Sequence, residues 1–234
     1  MLPTPKDFIF MIIKGDLTAV ERSISAGMDV NVNDGTNTVE NGNTALMWAA
    51  TEGHLDILDL LLTHGANINA QNASNYTALM FAVESDRPPI ISRLLDHGAD
   101  IHVCNPYGET PLMVMARQGQ TDIVRRLVDM GAALNATNKI GDTALYLAAE
   151  RGHLYTVKVL ISSGAAVNTA NLGGWTPLMM AAAQGSLEMM TLLLEHGADF
   201  RPKNRWGATA LSEARNSFRA PQAVELLMRA GAVE

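Results

Sequence analysis

The chain has 234 residues, 47% of them apolar but only 5% aromatic, which excludes intrinsic disorder and calls for a core of Ala, Leu, Ile, Val and Met between closely approaching elements. Seventeen Lys and Arg against 24 Asp and Glu leave a formal charge of −7, with no basic run beyond Arg125 and Arg126; nucleic acid is excluded as a partner, because phosphate binding needs clustered cations. The single Cys104 excludes an intrachain disulfide, and a reducing, cytoplasmic setting is the expectation.

The first apolar run, Phe8 to Ile13, lies between Asp7 and Lys14. Six residues are too few to cross a membrane, and the run lacks the basic start and cleavage site of a secretory leader. It predicts a helix over Asp7 to Lys14 and a second over Leu17 to Ala26, closed by Gly15 and Gly27. The first of these is apolar all round. Either its outer side lies under Met1 to Pro5, the preferred reading, or it is a self-association surface and the chain a self-assembling structural protein.

From Thr44 onward a strict period takes over. A Thr followed by Ala or Pro and then Leu recurs at Thr44, Thr77, Thr110, Thr143, Thr176 and Thr209, always 33 residues apart. Twenty-one residues after each of the first five comes a Gly-Ala pair, and two before the Thr comes a Gly, replaced in the second unit by Asn75. Asn is the ordinary residue best able to adopt positive φ. Each Thr is read as a helix N-cap, and Pro111 and Pro177 fall on the first helical position, where a missing N–H costs nothing. A short helix stops at Gly53, Gly119, Gly152 or Gly185. A second helix carries a stripe such as Leu55, Ile57, Leu58, Leu61 and Leu62, and ends at a left-handed glycine such as Gly65. The residues up to the next Thr form an extended, hairpin-like turn. No unit buries its stripe alone, so the fold class is an all-α solenoid of stacked helix-turn-helix units.

Two local departures stand out. Between Gly27 and Thr44 five residues are inserted relative to the spacing from Gly65 to Thr77, somewhere within Asn33 to Asn43. Arg87, Pro88 and Pro89 replace Gly-His-Leu, which is tolerable only at a helix start.

With Gly53-His54, Leu61-Leu62 and Gly65-Ala66-Asn67 in the same register, the chain resembles the ankyrin repeat family, whose unit carries Thr-Pro-Leu-His-x-Ala. The resemblance covers about residues 6 to 234. It implies one domain over 1–234: a degenerate N-terminal capping repeat plus inserted turn over 1–38, five full repeats over 39–203 and a C-terminal capping repeat over 204–234. Glu213 and Arg215 stand where earlier units carry apolar or small residues, which marks the cap and sets the expected end of the array at Glu234. The family's motif His is replaced by Met47, Met80, Met113, Tyr146, Met179 and Ser212, so the hydrogen bonds it makes with its own Thr are expected to be lost in all six. The four Met are expected to pack rather than to bind a soft metal.

For catalysis the sequence offers little. His54, His64, His97, His153 and His196 recur with the repeat and are assigned structural roles. His102 and Cys104 form a His-x-Cys pair, two ligands where structural zinc needs four, which leaves a metal or small-ligand sensor only as a minor alternative. No nucleophile sits beside a periodic base, and no Gly-rich phosphate loop follows a strand. The reading is of no enzyme, no cofactor and no metal.

The resemblance places partner contacts on the turn tips and the first-helix surfaces, which line a concave groove. Those positions put Tyr76, Tyr107, Lys139, Ile140, Leu172, Trp175, Arg205 and Trp206 on the tips, and Arg117 and Arg151 among the residues on the helices. Trp and Tyr surrounded by Arg and Glu is the composition of an interface hot spot. The expected function is a non-catalytic protein–protein interaction module, monomeric alone, acting as adaptor, scaffold or inhibitor of a partner enzyme, with no nucleic-acid or membrane partner. Trp175 and Trp206 would anchor the partner; the competing use of both is to stiffen the stack of turns.

Overall fold

Thr44, Thr77, Thr110, Thr143, Thr176 and Thr209 each sit in extended backbone at the head of a helix, and each Oγ1 accepts the backbone N–H three residues on at 3.1–3.3 Å. That bond satisfies one of the donors a helix start leaves orphaned. The computed structural model describes residues 3–35 and 42–232. Among them are fourteen helices and no strand: α1 Pro5–Lys14, α2 Leu17–Ser25, α3 Ala45–Glu52, α4 Leu55–Thr63, α5 Ala78–Glu84, α6 Pro88–Asp96, α7 Pro111–Gln118, α8 Thr121–Asp129, α9 Ala144–Glu150, α10 Leu154–Ser162, α11 Pro177–Ala183, α12 Leu187–Glu195, α13 Ala210–Asn216 and α14 Ala220–Arg229. None of them is long and apolar enough to cross a membrane.

The helices gather into two compact units, Met1–Pro106 and Tyr107–Glu234. In the first, α1, α3 and α5 pack in one row and α2, α4 and α6 in another, and each helix also packs on its own pair-mate. The second unit repeats the plan with α7, α9, α11 and α13 in one row and α8, α10, α12 and α14 in the other. Small residues permit this spacing: Ala49, Ala50, Ala82, Ala116, Ala148, Ala149, Ala181 and Ala182 are all fully buried. Met47, Met80, Met113 and Met179 are buried too, so the periodic thioethers are core, each contributing about 1.5–3 kcal/mol by leaving water.

Several local expectations hold. Asn75 adopts φ 63°, and Asp86 does the same duty at φ 49° where other units have Gly. Pro88 and Pro89 occupy the first turn of α6, where their missing N–H groups have no helical partner to lose.

Others are corrected. The motif hydrogen bond is not lost in all six units: the Ser212 hydroxyl accepts from Thr209 N–H at 2.9 Å and donates to the Thr209 carbonyl, and the Met47 sulfur accepts from Thr44 N–H at 3.3 Å. Helix α1 starts at Pro5, two residues before the expected Asp7, because Thr4 and Asp7 form a reciprocal capping box. Pro5 therefore belongs to the helix and Thr4 to its cap. Phe8, Ile9 and Ile12 are buried, whereas Phe10 is 59% exposed with the Lys14 ammonium 5.4 Å from its ring centroid. Met1 and Leu2, named for the rest of the cover, lie outside the described residues, as do residues 36–41 of the stretch Asn33 to Asn43 that holds the insertion.

Candidate functional site

Asparagine builds each turn tip. In the second unit Asn138, Asn171 and Asn204 recur at the repeat period, and each Oδ1 accepts two backbone N–H groups of its own tip at 2.9–3.1 Å. The main chain closes the hairpin, with Asn171 N–H donating to the Trp175 carbonyl and Asn204 N–H to that of Ala208. Successive tips are then tied edge to edge: Lys139 N–H donates to the Tyr107 carbonyl, Leu172 N–H to Ile140 and Arg205 N–H to Gly173, at 2.9–3.0 Å. This backbone ladder requires glycine where two tips meet. Gly141 has φ 85°, and a Cβ there would lie 2.7 Å from Leu172 N; at Gly174, φ 79°, it would lie 2.8 Å from Asn204 Cα.

Along this ladder the tips hold apolar side chains in water. Tyr107, Ile140, Leu172 and Trp206 are 59–75% exposed, and Lys139 and Arg205 are exposed between them. Trp175 is half-buried: Gly173 makes room for its indole, which stands 6.3 Å, centroid to centroid, from Trp206 at 53°. A tilted aromatic pair of this kind contributes about 0.5–1.5 kcal/mol beyond area burial. Trp175 thus packs against Trp206 across neighbouring tips.

The remaining expected residues are less available. Arg117, near the end of α7, donates to Glu109 at 3.1 Å, and that carboxylate is almost wholly buried. Tyr76 belongs to the first unit, where its hydroxyl donates to Glu84 at 3.0 Å and its ring lies 5.0 Å from Phe81. In both cases the residue one before the repeat Thr meets the residue seven after it, so tip base and first helix share a face. Arg151 is exposed and pairs loosely with Glu150 at 3.5 Å.

Two features were missed. Asn72, Asn105, Asn138, Asn171 and Asn204 keep the 33-residue period, which was the available signal. Tyr155 and Phe218 are 74% and 81% exposed; no periodic signal marks them.

The titratable groups have structural work. His54 Nε2 lies 3.3 Å from the Ile13 carbonyl and His153 Nε2 3.0 Å from that of Arg117, each meeting the carbonyl end of the preceding first helix. Arg87 Nε and Gln184 Nε2 do the same for Thr51 and Ala149. His64, His97 and His196 use Nδ1 on the carbonyl four residues back, at 2.8–2.9 Å. Tyr146 is buried, and burial first, then the charges of Asp142 and Glu150, holds its hydroxyl neutral well above the ordinary range. His102 and Cys104 are both exposed, and among the described residues no group of three or more metal-ligating side chains is present.

A family model described as ankyrin repeats (3 copies) matches residues 8–105, 89–171 and 167–233. Among solved structures, the chain is similar to the human ASB11 ankyrin repeat domain at 26% identity and TM-score 0.79, covering 97% of this chain and 99% of that one. It is 34% identical to an ankyrin repeat domain from Acinetobacter baumannii, with TM-score 0.74 over 80% and 98% of the two chains. The ankyrin repeat domain of Bcl-3, a member of the IkappaB protein family, matches at 28% and 0.77 over 97% and 98%. A curated relative, Myotrophin of Xenopus tropicalis, is 37% identical over 62 residues, 26% of this chain and 48% of that protein; the chain thus spans about half the length of that relative.

Proposed function

Because the chain belongs to the ankyrin repeat family, we propose that it is a non-catalytic protein-binding module, acting in the cytoplasm as adaptor, scaffold or inhibitor, and that the tip edge of its second unit is the binding surface. The observation that carries this reading is the row of Tyr107, Ile140, Leu172 and Trp206, each more than half exposed on tips joined by backbone hydrogen bonds. Exposed apolar side chains on a rigid frame lose little entropy when covered, so they gain most from a partner. Lys139, Arg205 and Arg151 flank the row and set register; Arg117 supports it from within, Trp175 holds Trp206 in place, and Tyr76 serves its own tip in the first unit.

Self-assembly through α1 is the weaker reading. Among the described residues of that helix Phe10 is the one large apolar side chain left mostly exposed, far less than the roughly 800 Å² per partner of a specific interface. We accordingly read the chain as a monomer on its own.

The test is photo-crosslinking in native lysate. A photoreactive residue at Ile140 should give adducts with a partner protein, while the same residue at Tyr155, still more exposed on α10, should give none. Adducts at Tyr155 without any at Ile140 would place the surface elsewhere.

A further inference from the structure

The charges are distributed unevenly. Residues 1–106 carry five Lys and Arg against thirteen Asp and Glu, whereas residues 107–234 carry twelve against eleven. In the second unit the carboxylates at the tips are already engaged. Glu109 accepts from Arg117, and Asp142, buried, accepts from Asn171 at 2.9 Å and from Asn138. The cations are not: Lys139, Lys203 and Arg205 are exposed and have no acidic partner among the described residues. A chain of net charge −7 thus presents a locally cationic edge, interleaved with Ile140, Leu172 and Trp206.

Geometry narrows the occupant further. Each tip contributes two hydrogen-bonded arms to the ladder, so neighbouring tips repeat about every 10 Å at roughly 4.8 Å per arm. An extended chain rises about 3.3 Å per residue, and a polyproline II chain about 3.1 Å with three residues per turn. In the polyproline II form every third side chain falls on one face and meets a new tip, whereas a flat strand would turn alternate ones away. Resting on the reading above, we propose that the tip edge of the second unit binds an extended, acidic protein segment, with apolar residues at every third position on Ile140, Leu172 and Trp206 and carboxylates between them on Lys139, Lys203 and Arg205. Opposite charge steers the segment to the edge, and the apolar contacts hold it there.

The probe is a displayed library of random peptides about twelve residues long, panned against the intact protein. Selected peptides are synthesised and titrated against the wild type, Trp206→Ala, and a charge-reversed variant carrying Lys139→Glu, Lys203→Glu and Arg205→Glu. Arg205→Gln, which removes one charge and keeps a polar side chain, serves should the triple variant not fold by circular dichroism. The expected result is enrichment of Asp and Glu with apolar residues three apart, affinity falling with added salt, and weakening by about tenfold or more on charge reversal. Peptides that lose Trp206→Ala but keep full affinity for the charge-reversed chain would overturn the acidic partner and leave the tip surface standing. Peptides that bind Trp206→Ala as well as the wild type would overturn the surface itself. A library that yields no binder would overturn the short extended segment as the ligand.

Discussion

Arg117 donates to Glu109 at 3.1 Å, joining the end of α7 to the base of its own turn tip, and the carboxylate it meets is all but removed from water. The position is one where the family resemblance implies a partner contact, yet here the guanidinium serves the fold. Replacing it leaves a buried carboxylate without its cation, and a lost partner of that kind costs far more than a surface ion pair. Arg117→Ala is expected to lower stability by on the order of 2 kcal/mol, read as a shift in the urea midpoint. Partner binding, corrected for the folded fraction, should change little.

Gly141 gives a second prediction. Its positive φ alone would make Ala cost about 1–2 kcal/mol, and the added Cβ would also press on Leu172 N at 2.7 Å. Gly65 has nearly the same φ, 84°, with open space where its Cβ would stand. Gly141→Ala should therefore destabilise clearly more than Gly65→Ala in denaturant melts. Equal losses would mean that the tip ladder yields at little cost.

Tyr146 makes stability depend on alkaline pH. Its folded pKa is raised, first by burial and then by Asp142 and Glu150, so the folded chain holds the phenolic proton more tightly than the unfolded one. The stabilisation is complete below the ordinary tyrosine value of about 10 and is lost as pH rises above it. Melts above that pH should show stability falling in the wild type and a shallower fall in Tyr146→Phe. A parallel fall in both would assign the effect to other groups.

Much of this architecture was legible because it rests on local rules applied at a fixed period. Thr44 and its equivalents cap, Asn75 takes positive φ, and Pro88 and Pro89 open a helix, since each role depends on a residue's own backbone chemistry. The tip exposures of Tyr107 and Trp206 followed from the same register. What was not legible depends on where side chains reach across space. Nothing in the spacing says that Arg117 turns to Glu109, that Tyr76 turns to Glu84, or that the Ser212 hydroxyl restores a bond its neighbours give up. Phe10 was unreadable for a different reason: a helix apolar all round has no polar face to mark its outer side.

The central claim is that the exposed tip row of the second unit is what a partner covers, and Trp206 is its most exposed member at 75%. The most direct measurement is quantitative affinity capture from native lysate with wild type and Trp206→Ala in parallel, followed by titration of the captured partner and thermal melts of both chains. Binding should weaken by about 2 kcal/mol or more, roughly thirtyfold, with the Tm nearly unchanged. Unaltered capture by a folded Trp206→Ala chain would contradict the account.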